Sequence, residues 1–393
     1  MLLWMLLACG DEDEQLDMEE LADAAPSAQV VEAPVGPAPV VDVGAPGQVA
    51  ASINAFAFDM LGQIDGQTVF SPASISLAFV LLEAGAAGAS REGLNTVFYL
   101  PETPQSAFGA WQNRVNGIEG VRLANRLWAQ EGLELNTDYA AGLKSSLGAE
   151  VGRVDFTSGG REQVNAWVSE QTEDKIPELL KKGTVGPATR LVLTNAVYFL
   201  GAWQTPFDKA LTAPAVFHAP EGDVDVPTMR QLEWMPYYEG DGVQAVRLPY
   251  EEGVSAVVVL SDEAPTSTSF ATLTSEMRNS RVELSLPRFE LRWQASLKAP
   301  LSALGLGGLF ADGADLSGIS DEALLVDDCV HEAWMRVDEK GTEAAAATGI
   351  LVKATSIPPP PMVMTVDRPF HFVVVDDESG AILFVARVEN PNN

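Results

Sequence analysis

From Leu191 to Leu200 the chain reads Leu-Val-Leu-Thr-Asn-Ala-Val-Tyr-Phe-Leu, a run whose apolar, β-branched and aromatic residues call for a buried strand. Similar runs recur at Val254–Leu260, Val282–Leu286, Phe370–Val375 and Ile382–Val388. Ahead of them the periodicity is helical. Ile53, Phe56, Ala57, Met60 and Leu61 repeat at helix spacing. Ser71-Pro72 marks a second helix start, followed by apolar Ile75, Leu77, Ala78, Phe79, Leu81 and Leu82. A further amphipathic helix is expected from Glu162 to Leu180. Helices first and strands later predict an α+β fold with large antiparallel or mixed sheets. No internal repeat is visible.

The chain has 393 residues, of which 47% are hydrophobic, enough for a large core. Its formal net charge of -31 repels nucleic acid and anionic membrane surfaces, so neither is an expected partner. Two cysteines, Cys9 and Cys329, are too few for a disulfide framework. Cys329, within Leu324–Val330, reads as a small buried apolar residue. No internal apolar run reaches the ~20 residues that span a bilayer.

The first nine residues are almost wholly apolar and end in Leu6-Leu7-Ala8-Cys9. They resemble the end of a bacterial lipoprotein signal, with Cys9 as the lipidated residue. The stretch is short, however, and no Lys or Arg precedes Arg91. Either a true start lies upstream or the match is accidental. Residues 10–47 are acidic and carry Pro26, Pro34, Pro37, Pro39 and Pro46. Such a stretch cannot bury enough surface to offset its ordering entropy and is expected to be a disordered tether. The folded domain is expected over 48–393, on a protein exported to the cell surface as a lipid-anchored form or released outside the cell.

Catalytic patterns are missing. The three histidines are His218, His331 and His371, and His331-Glu332 has no second histidine four residues on. There is no Gly-x-Ser-x-Gly elbow and no phosphate loop ending in Gly-Lys-Ser/Thr. Gly305-Leu306-Gly307-Gly308 lacks the context of a dinucleotide site. No catalytic residue, metal or cofactor is expected.

One segment near the C-terminus is ambivalent. Read as a strand, it points Thr342, Ala344, Ala346, Thr348, Ile350 and Val352 to one face, all small or apolar. Glu343, Ala345, Ala347, Gly349, Leu351 and Lys353 fall on the other, with both charges. That is the pattern of a strand with one buried face. Yet Ala is the best helix former, and four in a row do not themselves choose strand, so a helical turn or linker stays open.

Longer motifs bear on that choice. Among them are Phe70-Ser71-Pro72-Ala73-Ser74-Ile75, Thr194–Trp203, Leu284-Ser285-Leu286-Pro287-Arg288-Phe289 and Ala314–Ile319. His331-Glu332-Ala333, Val337–Ala344, Asp367-Arg368-Pro369-Phe370 and Leu383–Pro391 complete the set. In this order they resemble the serpins from about residue 50 to Asn393. The resemblance implies an α+β fold of N-terminal helices and three sheets, with a reactive loop at about 339–362 that can insert into the main sheet. It implies a monomeric inhibitor of serine proteases, from a bacterium, that acts as a suicide substrate. The alternative is a serpin-fold binding protein that inhibits nothing.

By the same resemblance Glu339, Gly341, Thr342, Glu343, Ala344, Ala345, Ala346, Ala347 and Thr348 match the loop hinge. Ser71, Ser74, Asn195 and His331 match a polar cluster beneath the opening strands, and Trp203 matches the tryptophan where insertion begins. Counting from Glu339 places the cut bond at Thr355-Ser356, with Lys353-Ala354 as the alternative. Thr355 suits an elastase-like or subtilisin-like protease, and Lys353 a trypsin-like one. The proline run Pro358 to Pro361 departs from the family pattern.

Overall fold

The computed structural model describes residues 45–342 and 360–393, apart from Glu150, Leu325, Asp327 and Asp328. Cys9, the hinge residues Glu343 to Thr348 and the candidate bonds Lys353-Ala354 and Thr355-Ser356 lie outside the described residues.

Helices dominate the first half: α1 (Ala45–Leu61), α2 (Pro72–Glu83), α3 (Gly88–Val97), α4 (Pro104–Val115), α5 (Thr137–Leu147) and α6 (Gly160–Gln171). Only α7 (Ser267–Glu276) and short helical turns follow. α1 begins at Ala45, slightly ahead of the expected start, and Ile53, Phe56, Ala57 and Met60 are fully buried along its apolar stripe. α2 starts where Ser71-Pro72 predicts. The Ser71 hydroxyl accepts from the Ser74 amide, and Pro72 occupies the first turn, where its missing N–H costs nothing. Every residue of α2 is buried, so this helix is the centre of the molecule.

α6 ends at Gln171, well short of Leu180. Glu173 and Asp174 adopt left-handed backbone angles that stop the helix. Asn165 then folds the chain back: its amide donates to Leu180 O at 2.9 Å, and its Oδ1 accepts from Leu180 N at 2.8 Å.

The strands are β1 (Thr68–Phe70), β2 (Val121–Gln130), β3 (Val151–Val154), β4 (Leu191–Phe199), β5 (Gly201–Ala202), β6 (Ala213–Ala219), β7 (Gly222–Gly240) and β8 (Val243–Pro249). They continue as β9 (Val254–Leu260), β10 (Arg278–Pro287), β11 (Phe289–Ser296), β12 (Val330–Val337), β13 (Gly341–Thr342), β14 (Met362–Thr365), β15 (Phe370–Asp376) and β16 (Ile382–Val388). A nine-stranded sheet runs β1-β16-β15-β9-β8-β7-β10-β14, with β6 pairing β7. It is mixed, because β14 joins β10 in parallel. All of β9 and β15 is buried, as strands covered on both faces must be. The remaining ladders are β3-β2-β4, β11-β12 and β13-β5.

Aromatic rings join the β11-β12 ladder to the large sheet. Phe289 meets Phe372 at 5.3 Å and Phe370 at 5.8 Å, both edge-on. All described residues fall within one compact unit, Val40–Asn393.

Candidate functional site

β4 and β12 run beside each other. β4 pairs β2 on one side and β12 pairs β11, but among the described residues no ladder joins β4 to β12. Among the described residues these two strand edges therefore face each other without a shared ladder, the arrangement that accepts another strand.

Side chains bridge this slot from below. The Ser71 amide donates to His331 Nε2 at 3.2 Å. That fixes Nε2 as the acceptor and leaves Nδ1–H to donate to Asn195 Oδ1 at 3.0 Å. Asn195 Nδ2 donates in turn to Asn125 Oδ1 at 3.0 Å, and Ser74 Oγ reaches the same oxygen at 3.5 Å. His331 is wholly buried, and burial lowers its pKa to about 3. It is neutral at physiological pH, which is what lets Nε2 accept. Four predicted residues, Ser71, Ser74, Asn195 and His331, are thus one network anchored on α2, β4 and β12.

Asn125 belongs to that network and is marked by no sequence motif. Its one clue is register: Asn125 stands opposite Asn195 in the β2-β4 ladder.

Trp203, grouped with those four by resemblance, sits elsewhere. Its contacts are with the hinge. The indole Nε1 donates to Asp338 O at 2.9 Å, and the Trp203 amide donates to Lys340 O at 2.8 Å. Its ring stacks on Tyr250 with centroids 4.2 Å apart. β13 then pairs Gly341 with Ala202 and Thr342 with Gly201. The Thr342 side chain is buried, as its place in the inward set requires, and its Oγ1 lies 2.8 Å from Tyr250 Oη. Burial pushes the Tyr250 phenol well above its ordinary range, so it stays protonated.

Gly341 has φ +141°, and a Cβ there would meet Gly201 O at 2.0 Å. Only glycine permits this close pairing. Just before it, the Glu339 carboxylate is buried; Oε1 accepts from Thr212 Oγ1 at 2.8 Å and lies 3.7 Å from Arg288 Nη1. Among the described residues Glu339 Oε2 has no hydrogen-bond partner.

Above the slot lies α6 with the chain that follows it. Val164 packs with Trp128 and Val192 of the β2-β4 side. Ile176 and Leu179 pack with Val330 of β12. Arg292 donates to Lys175 O at 2.7 Å and Gln294 to Leu179 O at 3.1 Å. The buried Glu332 carboxylate holds both donors, at 2.7 and 2.9 Å. A strap thus crosses the slot and is fastened on each bank.

The other titratable groups stand apart. His218 is exposed and paired with Asp223, whose hydrogen bond raises its pKa. His371 is buried on β15 with its pKa lowered to about 4, first by burial and then by nearby Arg387. Cys329 is buried. Among the described residues no three His, Cys, Asp or Glu side chains are placed to hold a metal, and no helix is long and apolar enough to cross a membrane.

A fold of this kind, in which β4 and β12 run side by side with no ladder between them among the described residues, defines a class. The model of the family "Serpin (serine protease inhibitor)" matches residues 51–391. An uncharacterized serpin-like protein of Thermococcus kodakarensis is 34% identical over 370 residues, covering 88% of this chain and 86% of its own. Leukocyte elastase inhibitor of Sus scrofa is 33% identical over 379 residues, covering 88% of this chain and all of its own. The structure of a thyroxine-binding globulin complex with thyroxine superposes with a TM-score of 0.76 at 26% identity, over 87% of this chain and 99% of that one. The chain belongs to the serpin family.

Proposed function

We propose that this protein inhibits serine endopeptidases as a suicide substrate. A protease cuts the bait loop and forms an acyl-enzyme. The freed loop enters the slot between β4 and β12 as a new strand, drags the protease along, and leaves the ester unhydrolysed. The observation that carries this reading is that β4 and β12 lie side by side with no ladder between them among the described residues, near β13, which pairs with β5. About 15 inserted residues at ~3.3 Å each would span on the order of 50 Å. At roughly 0.5–1.5 kcal/mol net per ladder bond, insertion gains on the order of 10–20 kcal/mol.

The inward hinge positions Thr342, Ala344, Ala346 and Thr348 carry no charge, proline or bulk to obstruct entry. The bait bond is Thr355-Ser356, with Lys353-Ala354 second, and the first favours an elastase-like or subtilisin-like protease. A relative named for elastase inhibition agrees with that class. The Cys9 box further suggests an exported, lipid-anchored bacterial protein, which mass spectrometry of the mature N-terminus tests; an unmodified Met1 removes the anchor.

Mixing the chain with elastase, subtilisin and trypsin should yield a covalent complex stable to SDS. Sequencing the released fragment should begin at Ser356. Only cleaved inhibitor across the whole panel would favour the rival, a binding protein on the same fold, as the thyroxine-binding globulin is.

A further inference from the structure

Where α7 crosses the nine-stranded sheet, the packing between them is incomplete. Tyr238 on β7 stands opposite Ala245 on β8, which stands opposite Val259 on β9. Gly240 and Val243 share that face, two residues along their strands. Tyr238 and Val259 are therefore two strand spacings apart, roughly 10 Å. Ala245 between them is wholly buried and too short to fill the gap. Above it α7 and its cap contribute Thr266, Ser269, Thr272 and Leu273, which share one side of the helix. Phe270 turns away from this gap and packs on Phe58 of α1 with ring centroids 5.3 Å apart. What remains is a cavity of about 310 Å³, the lower end of the range for small-molecule sites.

The lining is chemically one-sided. Val259, Pro265 and Leu273 are buried and make its inner wall apolar. Asp241 and Glu263 line it as well and are exposed, which places both carboxylates at the mouth. Among the described residues no Lys, Arg or His lines the cavity. Tyr238 supplies its aromatic wall, and the chain makes room for that ring. A Cβ at Gly240 would meet Tyr238 Oη at 2.7 Å, so the bare backbone at 240 is what lets the phenol lie along its own strand.

We propose that this cavity binds an organic amine, a protonated nitrogen carried on a small apolar body. The body displaces water from the wall made by Val259, Pro265 and Leu273. The ammonium stays at the mouth with Asp241 and Glu263, where opposite charge favours it and where the Tyr238 ring adds the attraction of an aromatic face for a cation. An anion of the same shape meets two carboxylates and no base. The net charge of -31 works in the same direction, drawing cations toward the chain and repelling anions. Among the described residues none from the β4-β12 slot or from β13 lines the cavity, so amine binding is independent of protease inhibition. An amine held between α7 and the sheet stabilises the folded chain by mass action.

The test is isothermal titration calorimetry of the full chain with tryptamine, in about 150 mM salt to screen the general attraction of an acidic protein for cations. Binding should saturate at one equivalent, and the Tm should climb with tryptamine concentration. Indole-3-acetate, similar in shape and opposite in charge, should bind the parent chain about tenfold more weakly or worse. The double change Asp241→Asn with Glu263→Gln should weaken tryptamine by about tenfold or more, with the Tm of the ligand-free chain kept at the parent value. Gly240→Ala pushes only the far end of the Tyr238 side chain aside and should weaken tryptamine several-fold. No saturable heat up to about 1 mM tryptamine would overturn the site. So would equal binding of indole-3-acetate, or tryptamine binding that the paired carboxylate changes leave untouched. Uptake of many equivalents, alike in parent and variants, would show attraction to the net charge alone and would also overturn it.

Discussion

The hydroxyls of Tyr250 and Thr342 lie 2.8 Å apart, both buried, at the end of β13. The contact ties the first inward side chain of the hinge to the ring that stacks on Trp203. Thr342→Arg must place a charge in this enclosed site. The expected result is a switch from inhibitor to substrate: the protease cuts the loop, insertion fails, and cleaved chain replaces the covalent complex on an SDS gel. Trapping at the parent stoichiometry would show that Thr342 does not enter the sheet interior.

Gly341→Ala tests the pairing of β13 with β5. With φ at +141° and only 2.0 Å to Gly201 O, a methyl group forces the backbone off this register. The hydrogen bond between Tyr250 and Thr342 should go with it. A destabilisation of about 2 kcal/mol or more is expected, in line with strain at a special backbone angle. Differential scanning calorimetry of the uncleaved chain measures it, and an unchanged Tm would be the contrary outcome.

The buried histidines make stability fall on acidification. His331, at about 3, titrates far below its ordinary 6.5, and His371, at about 4, does the same. Above pH 6.5 both are neutral in folded and unfolded chain, so neither contributes a slope. Below it the unfolded chain takes up protons that the folded chain refuses, and stability drops by about 1.4 kcal/mol per pH unit for each histidine. Between pH 6.5 and 5 His331 alone should cost about 2 kcal/mol. Urea denaturation across that window should show the slope, and His331→Gln should flatten it by about one proton. A variant slope equal to the parent's would mean that His331 is protonated in the folded state.

The strap over the slot should set the speed of insertion. A new strand adds about 4.8 Å between β4 and β12, so a strap fastened on both banks must stretch or release. Arg292→Ala removes the donor to Lys175 O and frees one oxygen of Glu332. The rate of insertion, followed by stopped-flow fluorescence after loop cleavage, should rise several-fold. The Tm of the uncleaved chain should fall by a few degrees, since an exposed arginine bonded to a buried acid is worth on the order of 1–3 kcal/mol. An unchanged insertion rate would place the barrier elsewhere.

The most apolar elements are legible in the chain itself. Val254–Leu260, Phe370–Val375 and Ile382–Val388 carry enough apolar residues to be strands wherever they are placed, and Ser71-Pro72 caps α2 through groups within three residues of each other. Such local signals do not depend on partners far along the chain. The helix expected to run to Leu180 stops at Gln171, because Asn165 holds Leu180 by folding the chain back on itself. Asn125 and its place beside Asn195 follow from strand register, which side-chain patterns on one strand do not set. Trp203 stands apart from Asn195 because eight residues of extended chain, about 26 Å at 3.3 Å each, separate them. By itself, then, the sequence determined α1 and α2, the five most apolar strands and the family. The tertiary structure alone decided that β4 and β12 lie side by side with no ladder between them among the described residues, and that His331 is buried neutral between Ser71 and Asn195. It also decided that Tyr238, Ala245 and Val259 share one sheet face. Each of these depends on hydrogen bonds or register between residues distant in sequence, and those exist only once the sheets have formed.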